Sequence, residues 1–169
     1  MRLLFRLLLP CLLPGWLLAT GPVLTVTAPE RSLAFTAAEF AALPRTELEA
    51  AEPHTKVGHR YAGVLLREFL HRLDVPRGKE LRGAGQQLAV LVRGTDGYAV
   101  VFSAAELDEG FGNTPVLISD REDGAPWNER YGPLRLIVAG DQFAARWVRN
   151  VRSLELITVG TVVPRPPKS

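Results

Sequence analysis

The 169-residue sequence predicts an α+β domain built on a mixed, largely antiparallel sheet with short helices. Three observations carry that expectation. Short apolar or alternating runs are each ended by turn chemistry, two Asp-Gly pairs sit between β-rich flanks, and helical patterns interrupt the runs irregularly. A doubly wound parallel sheet would alternate strand and helix regularly, and this sequence does not.

Taken in order, "VLTVTA" reads as the first strand. In "FTAAEFAAL", Thr36 and Glu39 have capping-box spacing, so each side chain can satisfy a free backbone N–H at the helix start, and Pro44 stops that helix. "RTELEAAE" predicts an edge strand and "GHRYAGV" a second strand. "VLLREFLHRLDV" predicts the best helix: Leu65, Leu66, Phe69, Leu70 and Leu73 share one face, with Arg67, Glu68, His71 and Arg72 opposite. Leu65, Phe69 and Leu73 are expected against a sheet, and Arg67 and Arg72 in solvent. "LAVLVRGTDGYAVVFS" predicts a hairpin in which Asp96-Gly97 supplies the positive φ angles of a tight turn. Ser103 and Glu106 repeat the capping-box pattern over "SAAELDEG". "TPVLISD", an Asp123-Gly124 turn, "LRLIVAG" and "VRSLELITV" complete the chain.

Residues 1–28 read as a signal peptide. Arg2 and Arg6 form a basic start, "LLLPCLLPGWLLA" an apolar stretch, and small residues at Ala19–Gly21 and Thr25–Ala28 offer cleavage sites. The stretch is shorter than the roughly 20 residues of a membrane span and is broken by Pro10, Pro14 and Gly15. Pro10 before Cys11 argues against a lipobox. The reading implies a periplasmic or secreted protein, touching a membrane only through an uncleaved N-terminal segment. Residues 29–160 are then one domain, and 161–169, ending "PRPPKS", a flexible tail.

Removing the signal changes the charge. The chain has 20 Lys plus Arg against 18 Asp plus Glu, and loss of Arg2 and Arg6 leaves 18 against 18. A neutral domain without a Lys/Arg block has no field for nucleic acid, which is excluded as a partner. Cys11 leaves as well, so the mature chain has no disulfide and no thiolate. About 140 residues suffice for one packed core.

"YAGVLLREFL", "DGYAVVFSAAEL", "PVLISDREDGAPW" and "GPLRLIVAGDQFAARWV", in this order and spacing, resemble the molybdopterin-binding domain of sulfite-oxidase-type oxidoreductases, from about Leu33 to Val159. The likeness is greatest to small, exported, single-domain members and implies that family's fold. It also implies a molybdopterin cofactor whose metal is tied to a cysteine thiolate in the segment before the "GV" helix. Here that segment is "EPHTKVGHRYAGV", with no cysteine. The resemblance places cofactor contacts at Asp96, Arg135 and Arg146, the last in place of a usual lysine. The histidine found shortly before the "P-x-R" element is absent, Arg130 or Tyr131 standing instead, and contacts just before the Arg-Trp pair become Ala144 and Ala145.

Each residue also has a structural reading. Arg135, inside an apolar run, either pairs with an acid beneath the sheet or holds a ligand phosphate or carboxylate, because a buried guanidinium needs its five donors met. Arg146 is either a ligand contact or the solvated neighbour of a core Trp147, and Asp96 is in the first place a turn residue. His54 and His59 flank the gap left by the cysteine, but their spacing fits no compact metal motif, and His71 lies on the polar helix face. Neither catalytic residues nor metal ligands are assigned. Ser103 and Ser119 lack a nucleophile-elbow context, and "GAGQQ" does not lead a strand into a helix as a dinucleotide loop must.

The expectation is therefore an exported domain of this fold without cysteine-ligated molybdenum chemistry, binding a small anionic ligand or a periplasmic partner protein. The rivals are a molybdopterin-dependent oxidoreductase with an unusual metal anchor and a structural partner subunit.

Overall fold

The computed structural model describes residues 21–160. The predicted signal up to residue 20 and the predicted tail from 161 lie outside the described residues. The first sheet is ordered β2 (Arg31–Phe35), β1 (Leu24–Ala28), β10 (Val151–Thr158), β5 (Leu88–Gly94), β6 (Ala99–Ser103). Only the β1–β10 pair in it is parallel. The second is ordered β3 (Thr46–Ala51), β4 (Gly58–Leu65), β7 (Val116–Glu122), β8 (Ala125–Pro126), with β9 (Arg135–Val138) also on β7. All its pairs are antiparallel. The architecture is α+β with mixed sheets and short helices, as the sequence predicts.

Local chemistry explains most elements. Thr36 caps α1 (Ala37–Ala41) through the full reciprocal box with Glu39. The backbone and hydroxyl donors of Thr36 hold the Glu39 carboxyl below its usual range. Ser103 caps α3 (Ala104–Leu107) by accepting from the Glu106 N–H. The side chain of Glu106 pairs with Arg146. The β7–β8 hairpin turns on Asp123 and Gly124, both at positive φ, as a two-residue turn requires. The β5–β6 turn differs from expectation: Gly97 alone adopts positive φ, closing a three-residue loop in which the Gly94 N–H donates to the Tyr98 carbonyl.

Helix α2 (Leu66–Arg72) is shorter than its periodicity suggests, because Val64 and Leu65 continue β4. Leu66, Phe69, Leu70 and Leu73 are buried, and Leu65 is only partly so. Arg67 and Arg72 do not face solvent as predicted; both are half-buried. Arg67 reaches Glu109 at 3.1 Å and donates to Asn113 Oδ1 at 2.8 Å. Charges on the far side of a short helix are drawn to the loop after α3, a tertiary contact that helical periodicity does not encode. Strand β2 carries no sequence signal, since as an edge strand it has no fully buried position.

Two features position the site. The β4–β7 register shifts between Ala62 and Gly63, where a Cβ on Gly63 would stand 2.1 Å from the Ile118 carbonyl oxygen. The buried Ser119 hydroxyl lies 2.8 Å from the Arg121 carbonyl and 3.0 Å from the Ala62 carbonyl, with one proton to donate, and Trp127 Nε1 donates to Ser119. Residues 147–151 bridge the sheets: the Leu136 N–H donates to the Val148 carbonyl and the Val151 N–H to the Leu134 carbonyl. The core is continuous across both sheets.

Candidate functional site: a cavity ringed by arginines

Arg135 opens β9, a strand buried at every position, and is itself only 7% exposed. Its guanidinium carbon lies 5.0 Å from the ring centre of Trp127, 4.6 Å from Tyr131 and 5.4 Å from Trp147. The aromatic faces attract the cation, but they leave its N–H groups without acceptors. Among the described residues Arg135 makes no ion pair, and its buried Nε has no hydrogen-bond partner. The acidic partner beneath the sheet, one of the two sequence readings, is not found among the described residues. Burial lowers the Arg135 pKa from the usual arginine value, with Tyr61 and Glu122 opposing the shift.

Arg135 lines a cavity of about 260 Å³ with Glu52, His54, Arg130, Tyr131, Ala144, Trp147 and Arg149. The guanidinium carbons of Arg130 and Arg149 stand 5.4 and 5.9 Å from the Tyr131 ring centre, so three cations surround one phenol ring. Neither Arg130 nor Arg149 has a carboxylate partner among the described residues. The acid in the wall, Glu52, accepts the N–H groups of His54 and Thr55 at 2.9 and 2.8 Å. Burial pushes its carboxyl up, but those bonds and His54 more than offset this and hold it below the usual range. One carboxylate bound into its own loop faces three arginines.

The frame around this cavity is specific. Asn150, at φ 49°, donates its N–H to the Tyr131 carbonyl and its Nδ2 to the Arg130 carbonyl, and accepts from the Thr95 N–H. Gly132 is needed because a Cβ there would stand 2.5 Å from Trp127 Cβ. Behind the cavity Tyr61 stacks on Trp127 and meets Trp147 edge-on. Its hydroxyl is buried and unpartnered among the described residues, and burial, then Glu122, raises its pKa far above the usual tyrosine value.

The three predicted contacts are distributed unevenly. Asp96 is a turn residue, its Oδ1 accepting from the Tyr98 N–H at 2.9 Å. It also lines a neighbouring cavity of about 200 Å³ with Tyr98, Ala145 and Val148, which shares Ala144, Trp147 and Arg149 with the first. Arg146 lines neither. It donates from Nε and Nη2 to the two Asp141 carboxylate oxygens at 2.9 and 2.7 Å, and from Nη1 to Glu106 at 3.0 Å. Its side chain is 35% exposed beside Trp147, which is buried and donates to the Val138 carbonyl. Arg146→Ala is expected to lower stability by about 1–2 kcal/mol in urea melts, leaving Asp141 and Glu106 unpaired. Anion affinity should change less than twofold. A collapse of affinity would place Arg146 in the site.

His54 borders the cavity, while His59 turns to Asp123 at 2.7 Å and His71 stands 3.9 Å from Glu68. A broader depression of about 660 Å³ lies over the outer side of β3 and β4. Its polar groups meet one another, Arg60 with Glu49 and His59 with Asp123. "GAGQQ" forms a 3-10 turn.

The cavity draws on the last of the four segments on which the sequence resemblance rests, through Arg135, Ala144 and Trp147, and on the segment without its cysteine. That segment supplies Glu52 and His54, and no sulfur. Among the described residues no three His, Cys, Asp or Glu side chains converge on a point. A metal held by a dithiolene pair favours a further soft thiolate, so this donor set does not fit cysteine-ligated molybdenum. The arginines fit an anionic group.

Fold and cavity together define an α+β domain with mixed sheets and a basic cleft. The crystal structure of the sulfane dehydrogenase SoxCD from Paracoccus pantotrophus is similar, with a TM-score of 0.60 at 20% identity over 80% of this chain. The match spans only 38% of that chain. No family model matches the sequence, and no curated protein matches it either.

Proposed function

We propose that this is an exported binding domain that holds a small oxyanion in the arginine-ringed cavity and does not perform cysteine-ligated molybdenum chemistry. The observation that carries the reading is the convergence of Arg130, Arg135 and Arg149 on Tyr131 without a carboxylate partner among the described residues. Like charges so close repel, and an anion between them turns the repulsion into charge-assisted hydrogen bonds. Molybdopterin, implied by the resemblance, would meet the same arginines through its anionic part. The chain offers its metal no sulfur.

The test uses native protein exported by its own host. Metal analysis should find molybdenum well below one per chain, and calorimetry should detect phosphate binding. Stoichiometric molybdenum with sulfite oxidation or sulfoxide reduction would overturn the reading in favour of an enzyme with another anchor.

Export itself is part of the proposal. Strand β1 begins at Leu24, and Leu24 and Val26 are fully buried. Cleavage within Thr25–Ala28 would remove core residues, so the mature terminus is expected from about residue 20 to residue 24, as read by N-terminal sequencing. A terminus at residue 25 or beyond would contradict this.

A further inference from the structure

An unpaired strand edge is a template for another strand unless charge, proline or cover blunts it. Among the described residues, edge strand β2 carries Arg31, paired with Asp74, and edge strand β3 carries Glu47 and Glu49. Strand β8 is two residues long and ends on Pro126. The Leu136 N–H of β9 donates to the Val148 carbonyl, so that edge is covered. Strand β6 ends its sheet with the sequence AVVFS, which has neither charge nor proline.

The Gly94 N–H donates to the Tyr98 carbonyl, so in the β5–β6 register the hydrogen-bonded pairs continue through Val92–Val100 and Val90–Phe102. The backbone N–H groups of Ala99, Val101 and Ser103 therefore point away from β5. No backbone bond joins these N–H groups to another segment among the described residues. Val101 is 48% exposed, and Ala99 and Ser103 flank it on the solvent face, whereas Phe102 is buried on the other.

We propose that β6 pairs antiparallel with β6 of a second copy of this chain, about a two-fold axis through Val101. The strand is self-complementary there: Ala99 falls opposite Ser103 of the second copy, and no charge meets another. Val101, which faces Leu91 across β5, gains a second valine on its other side, so the apolar row continues over the axis. A two-fold pairing uses the same patch twice and needs no further partner. Five residues a side bury less than a standard interface, so the dimer is expected to be weak, with a Kd on the order of 100 µM. This inference is independent of the oxyanion reading.

Sedimentation equilibrium of the mature chain from about 10 µM to about 1 mM tests it. Val101→Lys should weaken association at least about tenfold, because like charges then meet on the axis. Its urea midpoint should stay that of the parent, since the side chain is half exposed. The chain after residue 20 has no cysteine. Val101→Cys therefore adds one whose Cα would stand about 5.5 Å from that of the second copy, within disulfide range. Under mild oxidation it should form a covalent dimer at least about tenfold faster than Glu49→Cys on the charged edge. A monomer at every concentration, a dimer indifferent to Val101→Lys, or equal cross-linking at the two edges would overturn the proposal. If the chain stays monomeric yet binds the peptide YAVVFSA, residues 98–104, the edge accepts a strand but not a second folded copy, and the proposal fails.

Discussion

Arg135→Met is expected to remove most oxyanion binding while leaving stability within about 1 kcal/mol of the parent. Charged-group hydrogen bonds contribute about 1.5–3 kcal/mol each, so losing the buried guanidinium should weaken phosphate at least roughly tenfold. Methionine keeps the bulk between Trp127, Tyr131 and Trp147 and removes a cation that burial penalises. The lost cation–π attraction offsets part of that relief. Calorimetry and denaturant melts on the same samples read both quantities. A fall of 3 kcal/mol or more with unchanged affinity would make Arg135 a structural residue.

The largest stability effect is expected at Phe69. Its ring is fully buried, stacks with Phe40 at 6.2 Å between centres and meets Phe35 edge-on at 5.7 Å, so it joins α2 to α1 and β2. Phe69→Ala should cost about 3–5 kcal/mol through lost burial and an unfilled cavity. Urea melts measure it directly. A loss below 1 kcal/mol would mean that the helix closes over the gap and that this face is not the main contact of α2 with the core.

Both residues were visible in the sequence, for different reasons. Phe69 follows from period, since apolar residues at helical spacing need only a core to face. Arg135 follows from contradiction, a cation inside a run otherwise fit for a buried strand. Arg130, Tyr131, Ala144 and Ala145 were marked by the resemblance, and all line the cleft. Arg149 and Asn150 carried no local signal, and Trp127 and Glu52 lay in the quoted segments without being singled out. Arg149 lines the site because residues 147–151 bridge the two sheets, and Glu52 lines it from the loop that follows β3. The link of Arg146 to Asp141 lies five residues away and was open to inspection, but its link to Glu106 spans forty positions. Pairings of that kind are made by topology, which periodicity does not contain.

Anomalous diffraction from crystals soaked in selenate tests the central claim most directly. A tetrahedral dianion with an absorption edge reports its own position, without reliance on activity or on a guessed ligand. The expected result is an anomalous peak in the cleft within hydrogen-bonding reach of Arg135 and Arg149, absent from Arg135→Met crystals soaked in the same way. No peak in the cleft at saturating selenate, or a peak there that persists in the variant, would contradict an oxyanion site built on Arg135.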